Sequence, residues 1–338
     1  MEEVSIVHKL IPVSHSEYWT KELSGVPCMP AHTWQYCRAI SESSDWETYL
    51  YAGADSDGKI YCPIQIRIKE EGYKDIVSPY GFDGIVSTIP VKKQQQAMNE
   101  WNSFWSDNGF VTAYIMQHPL LKLNTDIWGE YVFEHSSYIY LIDLSLSIEE
   151  LWQNMCSTHR YEIRRMEKDK RIELTADKEE LITDFITLYY QTMDRVGASK
   201  IYHFTKNTLK HLILSNNSLL IGVKNGARTE AVSLFIFTDM CAEYFLNASS
   251  KDGRKYSRLI IWNAINKFKK IGVPYINLGG GIKSNDSLDL FKRRFGGIQT
   301  KAQVVRQIFN KDKYNYLISK HAKKNCETDY FPPYWANW

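Results

Sequence analysis

The chain has 338 residues, 44% of them apolar and 14% aromatic, which is enough for two domains with full cores and too hydrophobic for a disordered chain. A formal net charge of only +2 argues against a dedicated duplex-DNA binder. No apolar run reaches the length of a membrane span, and the opening MEEVSIVHKLIPVSHSEY is too acidic and polar for a secretory signal.

In chain order, Trp46 to Ala54 and Lys59 to Ile68 are aromatic and β-branched stretches around the turn cluster Asp55-Ser56-Asp57-Gly58, which predicts a hairpin. Lys74 to Val77 predicts a short strand, running into the loop Ser78-Pro79-Tyr80-Gly81-Phe82-Asp83-Gly84. Pro90 opens a helix to about Asp107, and strands follow at Phe110 to Gln117 and Ser137 to Leu144. Ser147, with Glu150 three residues on, forms a capping box and predicts one long helix to about Lys170. A strand over Arg171 to Ala176 precedes helices over Lys178 to Val196 and Thr205 to Leu214. Three strands then follow, Ser218 to Lys224, Thr229 to Phe237 and Cys241 to Ala248, as an antiparallel meander. A helix over Lys255 to Ile271 is closed by Gly272. The strand Tyr275 to Leu278, a helix after Asp286 and a strand over Gln299 to Phe309 complete the second half. The cysteines Cys28, Cys37, Cys62, Cys156, Cys241 and Cys326 are scattered without a C-x-x-C pair. They read as reduced, mostly packed thiols of a cytoplasmic protein, with no metal site expected.

The richest stretch runs from Tyr275 to Phe295. Gly279, Gly280 and Gly281 follow a short strand and allow close backbone approach and positive φ. Asp286 then opens a basic amphipathic helix carrying Lys292, Arg293 and Arg294, whose N-terminal amides are expected to be open to an anion. Acyl transfer to an amine needs a proton acceptor, a stabilised oxyanion and two substrates held together. Lys292 suits the oxyanion role, against the plainer reading of a solvated helix lysine. Asp286 is a candidate base or a helix N-cap. Arg293 and Arg294 either bind substrate phosphates or are surface charge. Arg160 heads a basic helix face with Arg164 and Arg165, which either touches RNA or a pyrophosphate or is a solvated face paired to Glu162 and Glu167. Tyr80 and Phe82 either wall an acceptor site or pack a loop. Tyr256 either stacks on a donor or is a half-buried aromatic at a helix start. The aromatic tail Tyr330 to Trp338 is expected to pack back on the body.

The order of elements in the second half resembles that of a GNAT acetyltransferase domain, and two such halves suggest a tandem. Local patterns resemble the FemAB/FemX family of peptidyl transferases. They are the Ser78 to Gly84 loop, Gln117-His118-Pro119-Leu120-Leu121 with Asn124, Ile142-Asp143-Leu144-Ser145, Arg160 with Ile163-Arg164-Arg165, Gly279-Gly280-Gly281 with Asp286-Ser287-Leu288, and Phe291-Lys292-Arg293-Arg294-Phe295-Gly296. The resemblance implies an α+β fold of two tandem GNAT-like domains, residues 1–145 and 146–338, each a mixed, mostly antiparallel sheet flanked by helices. It implies transfer of an aminoacyl or acyl group onto an amine of a cell-envelope or polysaccharide precursor. No cofactor is expected to be bound permanently, and the donor is a co-substrate, aminoacyl-tRNA or acetyl-CoA. The implied partners are an anionic sugar-nucleotide, lipid-linked or peptide precursor and tRNA, with no DNA. The expected location is the cytoplasm or the inner face of the membrane, with at most peripheral membrane contact. Two alternatives stay open: an acetyl-CoA-dependent N-acetyltransferase acting on an amino sugar, and a non-catalytic tandem GNAT binding protein. Where acetyl-CoA users place a two-glycine pyrophosphate loop, Ser249 to Tyr256 has Gly253 alone.

Overall fold

The computed structural model describes residues 6–69, 72–281, 285–321 and 330–336. Cys326 and the last two tail residues lie outside them; the five described cysteines are free thiols. The strands are β1 (Val7–Pro12), β2 (Glu47–Ala54), β3 (Lys59–Ile68), β4 (Lys74–Val77), β5 (Val86–Ser87), β6 (Phe110–Met116), β7 (Val132–Asp143), β8 (Ile172–Thr175), β9 (Ser218–Asn225), β10 (Arg228–Phe237), β11 (Ala242–Ser249), β12 (Tyr275–Asn277) and β13 (Ile298–Ile308). The fold is α+β, with mixed, mostly antiparallel sheet. The chain parts into two compact units: residues 1–135 with 302–338, and residues 136–301.

In the first unit the order is β1-β2-β3-β4-β6-β13, antiparallel except for the parallel pair β4 and β6. Asp55 sets the β2–β3 turn, its Oδ1 accepting from the Asp57 and Gly58 amides at 2.7 and 2.8 Å. Strict alternation sends Cys62, Ile64 and Ile66 of β3, Ile76 of β4, and Ala113 and Ile115 of β6 into one core. The helix Val91–Asp107 covers it with Ala97, Met98, Trp101 and Trp105, spaced at helical intervals. On the opposite face Asp75, fully buried, accepts from the Thr112 amide and hydroxyl, the Tyr334 hydroxyl and the Trp335 indole. The described part of the aromatic tail therefore does pack back on the body.

The second unit repeats the plan. β8-β9-β10-β11 form an antiparallel meander, β12 joins β11 in parallel, and β7 lies antiparallel to β12. Its core centres on Phe235, Ile260, Ile261, Ala264 and Phe268, with the helix Ser257–Lys270 contributing four of these.

Three expectations need correction. The second domain does not run from 146 to 338: it begins at Ser136, and residues 302–338 return to the first unit, because Val304 to Ile308 complete its sheet beside β6. The single helix after Ser147 is two, Ile148–Asn154 and Ser157–Lys168. The capping box is present, but Met155 and Cys156 are extended, the Cys156 amide donates to Arg294 O at 2.9 Å, and its Sγ caps the next helix. A tertiary bond thus outcompetes continuation of the helix. Nor is the helix after Asp286 open at its start. It spans only Ser287–Arg293, and Asp286 itself accepts from the Asp289 amide at 2.7 Å.

Candidate active site

The site is built in the second unit, where the parallel ladder between β11 and β12 ends. Only Ala242↔Ile276 and Glu243↔Asn277 pair there, although β11 continues to Ser249. Past Asn277 the chain stays with β7 instead: the Leu278 amide donates to Tyr140 O at 2.9 Å, and the Tyr140 amide to Gly279 O at 3.2 Å. The two parallel strands are thus bonded only at the base of a fork, with Glu243 and Asn277 as its last rung. Asn277 links the rung to the glycine run, its Nδ2 donating to Glu243 Oε1 at 3.3 Å and its Oδ1 accepting from the Gly279 amide at 2.8 Å.

Each glycine has its own reason. Gly279 adopts φ +67°, a region that strains other residues. At Gly280 a Cβ would stand 2.1 Å from Tyr138 O, so the close approach to β7 excludes any side chain. Gly281 is half-buried at the end of the run.

Lys292 reaches this turn from the helix Ser287–Arg293. Its Nζ donates to Gly280 O at 2.8 Å, and the residue is only 8% exposed. Burial pulls its ammonium down to about 8, opposed by the negative charges of Asp286, Glu243 and Asp289. The helix is fixed from several sides. Asp289, buried, accepts from the Tyr140 hydroxyl at 3.0 Å and from the Asn285 amide at 3.1 Å. His159 Nε2 donates to Phe291 O at 3.2 Å, with its ring against Phe291 and Phe295. Burial drives the His159 pKa down to about 4, so at neutral pH it is a neutral strut. At Gly296, with φ +73°, a Cβ would meet Asn154 O at 2.1 Å, so the chain leaves the helix against the Ile148–Asn154 segment.

Of the residues singled out in the sequence, Gly279, Gly280, Asp286 and Lys292 come together here. Asp286 is the N-cap, the plainer of its two expected roles. Arg293 and Arg294 are exposed. Arg160 donates to Gln153 O and Oε1, both at 2.9 Å, and Arg165 pairs with Glu162 at 2.6 Å, as a solvated helix face would. Tyr256 lies inside the core of this unit, more buried than expected, with Lys255 Nζ 5.0 Å over its ring. Tyr80 and Phe82 belong to the first unit, where Tyr80 O accepts from the Tyr36 hydroxyl and Phe82 meets His118 edge to face. Sequence reasoning missed Glu243, Asn277, Tyr140 and Asp289. A lone carboxylate in the apolar strand around Glu243, and a lone amide just before the glycines, were the available signals.

No family model matches the sequence, and no curated protein matches it significantly. Solved structures do match in fold. The crystal structure of FemX is similar at a TM-score of 0.68 with 11% identity, over 92% of this chain and 99% of that one. The C-terminal domain (DUF2156) of a putative lysylphosphatidylglycerol synthetase from Agrobacterium fabrum has a TM-score of 0.57 and 12% identity, over 88% and 94%. A tandem GNAT protein from the clavulanic acid biosynthesis pathway has a TM-score of 0.50 and 6% identity, over 90% and 99%. The chain therefore has the fold of tandem GNAT and FemX structures.

Proposed function

We propose that this chain transfers an aminoacyl or acyl group onto an amino group of a cell-envelope or polysaccharide precursor, with Lys292 stabilising the oxyanion. The observation that carries this reading is the buried Lys292 ammonium 2.8 Å from Gly280 O, beside the rung where β11 and β12 stop pairing. A fixed cation in poorly hydrated surroundings acts strongly on charge that develops at a carbonyl. The amine attacks the acyl carbonyl, the carbonyl oxygen takes the negative charge facing Lys292, and the donor oxygen or sulfur then leaves with a proton. Glu243 stands on the rung itself, so we give it the proton lost by the amine; Asp286 caps the helix and helps keep Lys292 charged. The names of the similar structures, FemX and a putative lysylphosphatidylglycerol synthetase, agree with an envelope acceptor. On this reading the protein works in the cytoplasm or at the inner membrane face, and no helix among the described residues is long and apolar enough to cross a membrane.

The loop after β11 favours aminoacyl-tRNA over acetyl-CoA as donor. The Gly253 amide is spent on Ser250 Oγ at 2.8 Å, and the Ser250 amide on Glu230 O at 2.8 Å. Ser250 Oγ in turn donates to the Glu230 carboxylate, which is buried beneath the loop. The Gly253 and Ser250 amides are thus already in use, and amides spent inside the loop are not free to hold a pyrophosphate. Calorimetric titration with acetyl-CoA at low salt, followed by transfer assays from charged tRNA to amino-sugar and stem-peptide acceptors, tests the reading. We expect no micromolar acetyl-CoA binding and transfer from charged tRNA. Micromolar acetyl-CoA binding would move the assignment to an amino-sugar N-acetyltransferase.

A further inference from the structure

The polar face of the first unit's sheet holds a cation whose hydrogen bonds are incomplete. Arg67, on β3, is 1% exposed. Its guanidinium lies 4.8 Å from the Trp335 ring centre and 5.6 Å from that of Trp46. Nη1 donates to the Tyr330 hydroxyl at a long 3.3 Å. Nε and Nη2 have no hydrogen-bond partner among the described residues. Those two nitrogens form one edge of the guanidinium, two near-parallel N–H groups spaced to bind two oxygens of one anion.

The nearby carboxylate does not fill that role. Asp75 faces Arg67 across the β3–β4 ladder, but its Oδ1 accepts from Thr112 and Tyr334 and its Oδ2 from the Trp335 indole. A second cation is close: Lys69 Nζ lies 4.3 Å from the Trp335 ring centre. Farther along the same face, Arg306 pairs with Tyr114 across β13 and β6, and its Nε is also without a partner among the described residues. Among the described residues, the Nε–Nη2 edge of Arg67 is thus bonded to no carboxylate, Asp75 being occupied. A buried guanidinium with an empty edge is costly unless an anion completes it.

We propose that the first unit binds a phosphoryl group at Arg67, two of its oxygens accepting from Nε and Nη2 and Lys69 supplying the second positive charge. Tyr330, 47% exposed, makes the one hydrogen bond that the Arg67 guanidinium has among the described residues, and it is a long one. The inference does not depend on the Lys292 chemistry.

The test is calorimetric titration of the full chain with inorganic phosphate, inorganic pyrophosphate and acetate at constant ionic strength. The expected result is saturable binding of phosphate or pyrophosphate, at least tenfold weaker in Arg67→Gln, and weaker in Arg67→Lys, which keeps the charge and loses the two-pronged edge. Lys292→Ala is expected to bind these anions as the wild type does, which separates this site from the acyl-transfer reading. If Arg67→Gln fails to fold, Arg67→Lys and Lys69→Gln decide, each expected to weaken binding. Absence of saturable binding, affinity unchanged in both of those variants, or acetate binding as tightly as phosphate would overturn the proposal.

Discussion

Lys292 is the residue on which the chemistry turns, and its burial makes it testable without knowing the substrate. Its ammonium titrates near 8 in the fold and near its ordinary 10.5 when unfolded. Between those values the unfolded chain holds a proton that the native chain has released, so stability rises with pH. Denaturant midpoints are therefore expected to rise from about pH 8 toward 10 in the wild type and to lose that slope in Lys292→Met; an identical slope in both would show that Lys292 is not the titrating group. Activity carries the opposite sign. The oxyanion needs the cation, so acyl transfer should fall as pH rises through about 8. At this scale the sequence was half legible. Lys292 stood out because a glycine turn preceded its helix. Glu243 did not, because its pairing with Asn277 is a tertiary fact that a lone strand sequence cannot express.

At the scale of elements, the glycine run is a surface to which two other elements are fitted. Gly280 gives its carbonyl to Lys292 and has no room for a Cβ beside Tyr138 O. Gly280→Ala is expected to cost about 1–3 kcal/mol in thermal unfolding, as overpacking does, and to shift the Lys292-dependent pH slope. A variant with wild-type stability would mean that the turn is not held against β7. The loop after β11 makes a similar case, since a Cβ at Gly253 would fall 1.9 Å from Glu230 O. Its single glycine serves packing against β10. The antiparallel meander and the helix Lys178–Val196 were legible because turn residues and apolar spacing declare them locally. The break at Met155 was not, since a carbonyl from Arg294, far along the chain, makes it.

At the scale of the whole chain, one unit is continuous and the other is not. Residues 136–301 hold β8 to β12 whole and most of β7, whereas residues 1–135 lack the strand segment that pairs with β6 and the tail that completes Asp75. Expressed alone, 136–301 is expected to melt cooperatively by circular dichroism, and 1–135 to show no cooperative transition. The reverse result would contradict this division. Two halves of similar element order were visible in the sequence, but the return of residues 302–338 to the first unit was not. Strand pairing at a separation of nearly two hundred residues leaves no local mark.

Single-turnover transfer from charged tRNA to amine acceptors by wild type and Lys292→Ala separates oxyanion stabilisation by Lys292 from a purely structural role. The expected result is a loss of about 10²–10³ in rate with acceptor affinity nearly unchanged, as for removal of an oxyanion donor. Equal rates, or equal losses in rate and acceptor affinity, would contradict it.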